Sequence, residues 1–215
     1  MTKIDNISKS LSRIVSLAII IFIFSIDAFC APQLTPEQVA QKTAAVISSS
    51  GGIEVSFTLQ SAGQSGKGEI KSSGSKFMVS LPGISNWYNG KDLYTYNSKT
   101  GETTVVAPTA RELLEVNPLL YVKNGASGYD YSFSTVKRNG KYVIDLTPKN
   151  KKSEIKKMTF TINSTSFEIE RISVTTSGGV TIVDINSFKK NMPIKASEFE
   201  YPKSKYPKAE IVDLR

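Results

Sequence analysis

Along most of this chain the apolar residues recur at every second position, the period of strands that bury one face, and only two segments switch to helical spacing. Ile53, Val55, Phe57 and Leu59 alternate with Glu54, Ser56, Thr58 and Gln60, which predicts a half-buried antiparallel strand. The alternation returns in Phe77, Val79 and Leu81, in Tyr129, Tyr131 and Phe133, in Tyr142, Ile144 and Leu146, and in Met158, Phe160 and Ile162. Turn residues separate these runs: Ser73-Gly74-Ser75, Pro82-Gly83, Lys99-Thr100-Gly101, Asn139-Gly140, Pro148 to Lys151, and Gly178-Gly179. Asn89-Gly90 predicts a type I′ hairpin turn, and Trp87, Tyr94 and Tyr96 around it suit cross-strand packing. Trp87, the only tryptophan, is expected either to clamp that hairpin against Tyr94 or Tyr96 or to line a cavity lip. Between Ile169 and Ile172 the apolar phase slips by one residue, which reads as a bulge or as an exchange of faces. About eleven strands of ordinary length result, an extensive antiparallel sheet.

The helical segments are few. Thr35 reads as an N-cap with Pro36 at N1 and Gln38 at N3, and the helix it opens is expected to run to about Ser50, where Gly51-Gly52 stops it. Val39, Ala40, Thr43, Ala44 and Ile47 form its narrow apolar stripe. Ala110 to Val122 carries Leu113, Leu114, Val116, Leu119 and Leu120 at helical spacing, but Asn117-Pro118 splits it into two short helices.

The first thirty residues stand apart. Lys3, Lys9 and Arg13 precede an apolar run from Ile14 to Ile26, and Ala28-Phe29-Cys30 follows, which reads as a cleaved secretory signal over residues 1–30; a lipid-anchored Cys30 is the rival reading. Residues 31–215 then make one domain, long enough for a substantial core and without cysteine to staple it. The chain has 27 basic and 19 acidic residues, and the signal removes three and two of them, leaving an excess of about +7. Lysines gather at Lys149, Lys151, Lys152, Lys156 and Lys157 and again from Lys189 to Lys208, either as a solubilising surface or as an attraction to anionic headgroups. Export and the lack of a basic-aromatic ribonucleoprotein motif argue against nucleic acid. The absence of histidine, and of cysteine after processing, removes the usual general base, thiol nucleophile and metal ligands, so neither catalysis nor a cofactor is expected.

One imbalance points toward function. A sheet of about eleven strands offers roughly two or three inward apolar side chains per strand, more than one amphipathic helix and a broken pair can cover. Either the sheet folds over as a sandwich and fills its own core, or it curls into an incomplete barrel with an apolar hollow beneath the helices.

The run Asn89-Gly90-Lys91-Asp92-Leu93-Tyr94-Thr95-Tyr96-Asn97, with Gly68-Glu69-Ile70 and Lys76-Phe77 before it, resembles the hairpin of the periplasmic outer-membrane lipoprotein carrier family, LolA. Asn117-Pro118-Leu119-Leu120, Asp145-Leu146-Thr147-Pro148-Lys149, Phe188-Lys189-Lys190-Asn191 and Pro207 to Asp213 follow in the family's order. The resemblance implies a mainly β fold, a single-domain unclosed antiparallel half-barrel of about eleven strands under short helices. It also implies a carrier of acylated lipoproteins, loaded by an inner-membrane ABC-type release complex and unloaded to an outer-membrane acceptor. A periplasmic monomer is expected. Where the family has an Arg-Pro pair that helps latch the lid, this chain has Ser73-Gly74. On this reading Ile53, Val55, Phe57, Leu59, Ile70, Phe77, Val79 and Leu81 form the lipid-binding wall, and Leu113, Leu114, Val116, Leu119, Leu120 and Tyr121 the lid. Phe77 is the expected aromatic at the lip. An envelope sensor on the same half-barrel, a carrier of another lipid, and a structural protein with a filled core are the competing functions.

Overall fold

The computed structural model describes residues 33–123 and 128–215, with the backbone alone for Lys123. The signal expected at residues 1–30 lies outside the described residues. Helix α1 (Pro36–Ser49) begins at a reciprocal cap: the Gln38 N–H donates to the Thr35 hydroxyl at 3.2 Å, and the Thr35 N–H donates to the Gln38 side chain at 2.9 Å. It buries Val39, Ala40, Thr43 and Ile47 along one stripe. Six strands follow, β1 (Ile53–Ser61), β2 (Gln64–Ser73), β3 (Lys76–Leu81), β4 (Ile84–Tyr88), β5 (Leu93–Asn97) and β6 (Glu102–Val106). The two short helices α2 (Ala110–Val116) and α3 (Leu119–Lys123) flank Asn117-Pro118, as a proline at that point requires. Then come β7 (Tyr129–Phe133), β8 (Lys141–Pro148), β9 (Ile155–Asn163), β10 (Ile169–Thr176) and β11 (Gly179–Lys190), a 3-10 turn at Ala196–Phe199, and β12 (Glu210–Asp213).

All twelve strands join one sheet, in the order β12-β6-β5-β4-β3-β2-β1-β11-β10-β9-β8-β7. Its two ends, β12 and β7, do not pair with each other, so the sheet neither closes into a barrel nor doubles into a sandwich. The twelfth strand exceeds the expected eleven because Glu210–Asp213, four residues outside any long alternating run, lies parallel to β6 at the edge. The phase slip is a bulge: Ile169 faces Ile162 while Arg171 faces Thr161, so Glu170 is the extra residue and both Ile169 and Ile172 are buried. A second bulge interrupts β1 and β11 between Ser56 and Phe57. Bulges bend a strand and increase its twist, which curves this sheet.

The Asn89-Gly90 connection departs from the type I′ expectation. Tyr88 pairs with Leu93, leaving a four-residue loop in which Gly90 has φ +100° and Asn89 does not enter the left-handed region. Instead the Asn89 side-chain oxygen accepts the N–H groups of Lys91 and Asp92 at 3.0 and 2.9 Å, a side-chain turn that sets the loop.

Register divides the apolar residues between two faces. On the inner face Leu59 lies opposite Val183, Val183 opposite Ile172, Ile172 opposite Phe160, and Phe160 opposite Ile144. Phe160, Ile172, Ile144, Met158 and Leu146 have no accessible surface, so this row is the heart of the core. On the outer face Met78 lies opposite Trp87 and Trp87 opposite Tyr94. The segment after β11 crosses that face: Tyr201 stacks on Tyr94 with centroids 5.6 Å apart, Tyr206 meets Tyr96 at 4.1 Å, and both rings meet Trp87 edge-on at 5.5 and 5.9 Å. Trp87 is therefore neither a clamp on its own hairpin nor a cavity lip, because alternation turns it away from the inner face and the C-terminal arm supplies its partners.

Candidate functional site: an apolar hollow beneath two short helices

Between the inner face of the sheet and helices α2 and α3 lies a cavity of about 280 Å³. Phe57 and Leu59 of β1, Ile70 of β2, and Val79 and Leu81 of β3 line one side. Ile172 and Val174 of β10, with Val183 and Ile185 of β11, line the other. Leu114, Val116, Leu119 and Tyr121 close it from the helices, and Glu115 is the one charged residue on its walls among the described residues. Apart from Glu115 and Thr181, whose hydroxyl hydrogen-bonds Ser61 at 2.9 Å, the described lining residues are apolar or aromatic, the character of a greasy, half-enclosed chamber.

Two local features create the space. Strand β2 carries glycine at 66 and 68 where β1 presents Leu59 and Phe57. A Cβ on Gly68 would stand 2.3 Å from the Phe57 Cζ, so the bare backbone is what lets the ring lie flat across β2. The cover is also thin. Helix α2 starts with a capping box at Thr109 and Glu112 but buries none of its residues, whereas α3 buries Leu119, Leu120, Tyr121 and Val122. Between them Asn117, 1% exposed, accepts the Leu119 N–H at 3.1 Å and fixes the break. Helix α2 thus hangs from an anchored joint, with Leu114 and Val116 turned onto the chamber.

The Ser73-Gly74 turn supplies its own tie. The Ser73 hydroxyl donates to the Gly51 carbonyl at 2.7 Å, joining the β2–β3 turn to the segment that leaves α1. A neutral hydroxyl at this position holds with a single hydrogen bond and no charge.

A second cavity, of about 400 Å³, adjoins the first and shares Leu114, Glu115, Tyr121 and Ile155 with it. Arg111, Lys152, Glu154, Asn150 and Tyr129 bring polar groups to this outer space beside the apolar Leu114, Leu120, Pro148 and Ile155. Tyr121 stands at the boundary, 7% exposed, with the Tyr129 ring edge-on at 5.7 Å. Burial foremost, then the charge and hydrogen-bonding influence of Tyr129, pushes the Tyr121 hydroxyl above the ordinary tyrosine range, so it stays neutral.

Of the wall residues expected from sequence, Phe57, Leu59, Ile70, Val79 and Leu81 border the chamber. Ile53, Val55 and Phe77 are buried on the same strands but do not border it, and Phe77 packs on Tyr88 at 5.3 Å. Of the lid residues, Leu114, Val116, Leu119 and Tyr121 reach the chamber, Leu120 lines the outer cavity, and Leu113 lines neither. The half of the wall formed by β10 and β11 is new. Its alternation is masked because Val180, Ile182 and Val183 put apolar residues on both faces of β11.

The lysine clusters are partly structural. Lys189 pairs with Glu54 at 2.7 Å, Lys190 with Glu168 at 2.8 Å and Lys157 with Asp145 at 3.5 Å. On the outer face Glu170 pairs with Lys141 and Asp184 with Arg171. Among the described residues no helix is long and apolar enough to cross a membrane, and no group of His, Cys, Asp and Glu side chains is gathered to hold a metal ion.

Comparison with known proteins places this geometry. The family model described as outer membrane lipoprotein carrier protein LolA matches residues 27–178, more than half of the chain. A conserved protein from Thermus thermophilus superposes with a TM-score of 0.58 at 11% identity, covering 82% of this chain and 98% of that one. A LolA superfamily protein from Nitrosomonas europaea gives 0.44 at 12% identity, over 79% and 99%. The lipoprotein LppX of Mycobacterium tuberculosis gives 0.43 at 13% identity, over 74% and 97%. A comparison with curated proteins finds no match. The chain belongs to the outer membrane lipoprotein carrier family, LolA, and its fold is the one that family carries.

Proposed function

We propose that this member of the LolA family is a periplasmic carrier that shelters the acyl chains of lipoproteins in the apolar chamber and moves them from the inner to the outer membrane. The observation that supports this most is the chamber itself, walled by aliphatic and aromatic side chains from both halves of the sheet and roofed by a helix with no buried residue. Each methylene taken from water is worth about 0.8 kcal/mol, so a sixteen-carbon chain gains on the order of 12 kcal/mol when fully covered. Such a chain does not cross an aqueous space unaided. An apolar wall accepts it without the directional hydrogen bonds that would slow its release.

At about 280 Å³ the chamber falls just below the roughly 300 to 1,000 Å³ usual for small-molecule sites, so a cargo with several acyl chains requires helix α2 to lift. The task is binding and hand-over, without catalysis or a cofactor. An inner-membrane ABC-type release complex would load the carrier, and an outer-membrane acceptor would receive the cargo.

The test is retention of cargo. Phe57→Glu or Leu59→Glu places a carboxylate on the chamber wall; the variant is expected to fold, stay soluble and fail to solubilise a triacylated lipoprotein released from spheroplasts. Solubilisation at the wild-type level by either folded variant would remove the chamber from the function.

A further inference from the structure

The connection from β7 to β8 sets exposed apolar side chains next to unpaired cations. Phe133, at the end of β7, is 40% exposed, and Val136 in the loop that follows is 54% exposed. Lys137 and Arg138 come next, both exposed, and their side chains make no ion pair or hydrogen bond among the described residues. Beside them, on the outer face, opens a hollow of about 640 Å³ lined by these two cations, by Lys141 and Arg171, and by the carboxylates Glu170 and Asp184. Both carboxylates are already taken, Glu170 by Lys141 and Asp184 by Arg171. The charge of Lys137 and Arg138 is left without a counter-ion of the protein's own.

The loop holds these groups in place. The Ser134 N–H donates to the Val143 carbonyl at 2.9 Å, the Ser134 hydroxyl accepts the Val136 N–H at 3.3 Å, and the Lys141 N–H donates to the Arg138 carbonyl at 3.1 Å. Gly140 takes φ +67°, and its carbonyl accepts both the N–H and the hydroxyl of Ser164, at 3.1 and 2.8 Å. Phe133 stacks on Tyr142 with centroids 6.3 Å apart, and Tyr142 on Phe167 at 6.0 Å. Apolar groups fixed at the surface beside cations match the layered chemistry of a bilayer boundary, with phosphate outside and hydrocarbon within. A soluble anion would engage the cations and leave Val136 without a role.

We propose that the β7–β8 loop docks the protein on an anionic bilayer surface, with Lys137 and Arg138 on lipid phosphates and Val136 and Phe133 entering the headgroup layer. The inference stands apart from the carrier reading, because it uses no residue of the chamber. The loop begins β8 at Lys141, whereas Pro148 at the other end of that strand borders the outer cavity. The eight residues of β8, roughly 23 Å, separate the two. A protein docked in this way keeps its outer cavity clear of the surface and open to a partner.

Co-sedimentation of the mature protein with vesicles tests this. The wild type is expected to bind vesicles of phosphatidylethanolamine and phosphatidylglycerol, to leave them as salt is raised, and to ignore vesicles of phosphatidylcholine. Lys137→Ala combined with Arg138→Ala is expected to lower the partition coefficient about 25-fold, at about fivefold for each cation. Lys203→Ala combined with Lys208→Ala removes the same charge from exposed positions of the C-terminal arm and is expected to cost less than about fivefold. Val136→Ser is expected to weaken binding about fivefold by withdrawing the apolar contact. Every substituted side chain is exposed, and an unchanged circular dichroism spectrum checks that each variant keeps its fold. A wild type that leaves anionic vesicles unbound overturns the proposal. Equal losses in the two double variants also overturn it, because net charge rather than this loop then governs the contact. Undiminished binding by Val136→Ser overturns entry into the headgroup layer.

Discussion

Gly68 marks the point where one absent side chain sets the shape of the interior. Its backbone is overlain by the Phe57 ring, with the nearest ring carbons 2.3 and 2.4 Å from where a Cβ would sit and the Ser80 carbonyl oxygen at 2.9 Å. Gly68→Ala leaves the ring nowhere to go but the chamber, and overpacking of this kind typically costs about 1 to 3 kcal/mol. The expected result is a folded protein with a lower urea midpoint and reduced fatty-acid saturation; full capacity at wild-type stability would show that the ring has another refuge. Glu198 is a second informative residue. Its hydrogen bond from Lys71, at 2.7 Å, holds the carboxyl below the ordinary 4.5 despite the opposing effect of burial. A carboxylate depressed in the folded state contributes fully above its unfolded pKa and loses that contribution as pH falls through the folded one. Lys71 is raised by the same hydrogen bond, so its share is lost only as pH climbs beyond 10.5. The arm carrying Glu198 also covers Trp87, the sole tryptophan, which makes its fluorescence a local reporter. Emission is expected to change as pH drops below 4.5, and Glu198→Gln is expected to flatten that step; an identical acid profile in the variant would exclude this ion pair as the acid-sensitive tie.

At the scale of elements, helix α2 is the piece free to move. It buries no residue, ends at the anchored Asn117-Pro118 joint and yet covers the chamber with Leu114 and Val116. Elements with few buried apolar contacts open at low free energy. Amide exchange in 110–116 is therefore expected to be fast in the empty protein and markedly slower with a bound acyl ligand, while α3 stays protected in both. Equal rates with and without ligand would mean that α2 is no lid. Much of this arrangement is legible in the sequence. The Thr35 cap, the Asn117-Pro118 break and the alternation in Ile53 to Leu59 follow from local chemistry, which acts within a few residues. Three things are not legible for a common reason, that they depend on distant partners. The Trp87 environment is supplied by Tyr201 and Tyr206, far along the chain in the C-terminal arm. The β10 and β11 wall is hidden because β11 is apolar on both faces and shifted by a bulge opposite Phe57. The parallel edge strand β12 is too short to announce itself.

For the molecule as a whole, one uninterrupted sheet links both walls of the chamber, with β1 and β11 joining the two wings through nine paired residues. A single sheet of this kind predicts a single cooperative transition. Trp87 reports one wing and far-ultraviolet circular dichroism reports all strands, so their urea curves are expected to coincide. A ligand at a hundredfold excess over its Kd is expected to add about 2.7 kcal/mol to both. Separated curves would mean that the wings unfold independently.

In a complete barrel, strand number and stagger fix the diameter, and the internal volume is settled once the chain has folded. Here β7 and β12 end the sheet without meeting, so no ring of hydrogen bonds sets the girth. The aperture between those margins can widen by a small change of twist spread over many strands, with every ladder intact. Under the proposed carrier function, capacity is then governed by the guest, and one protein would accept passengers of unequal bulk.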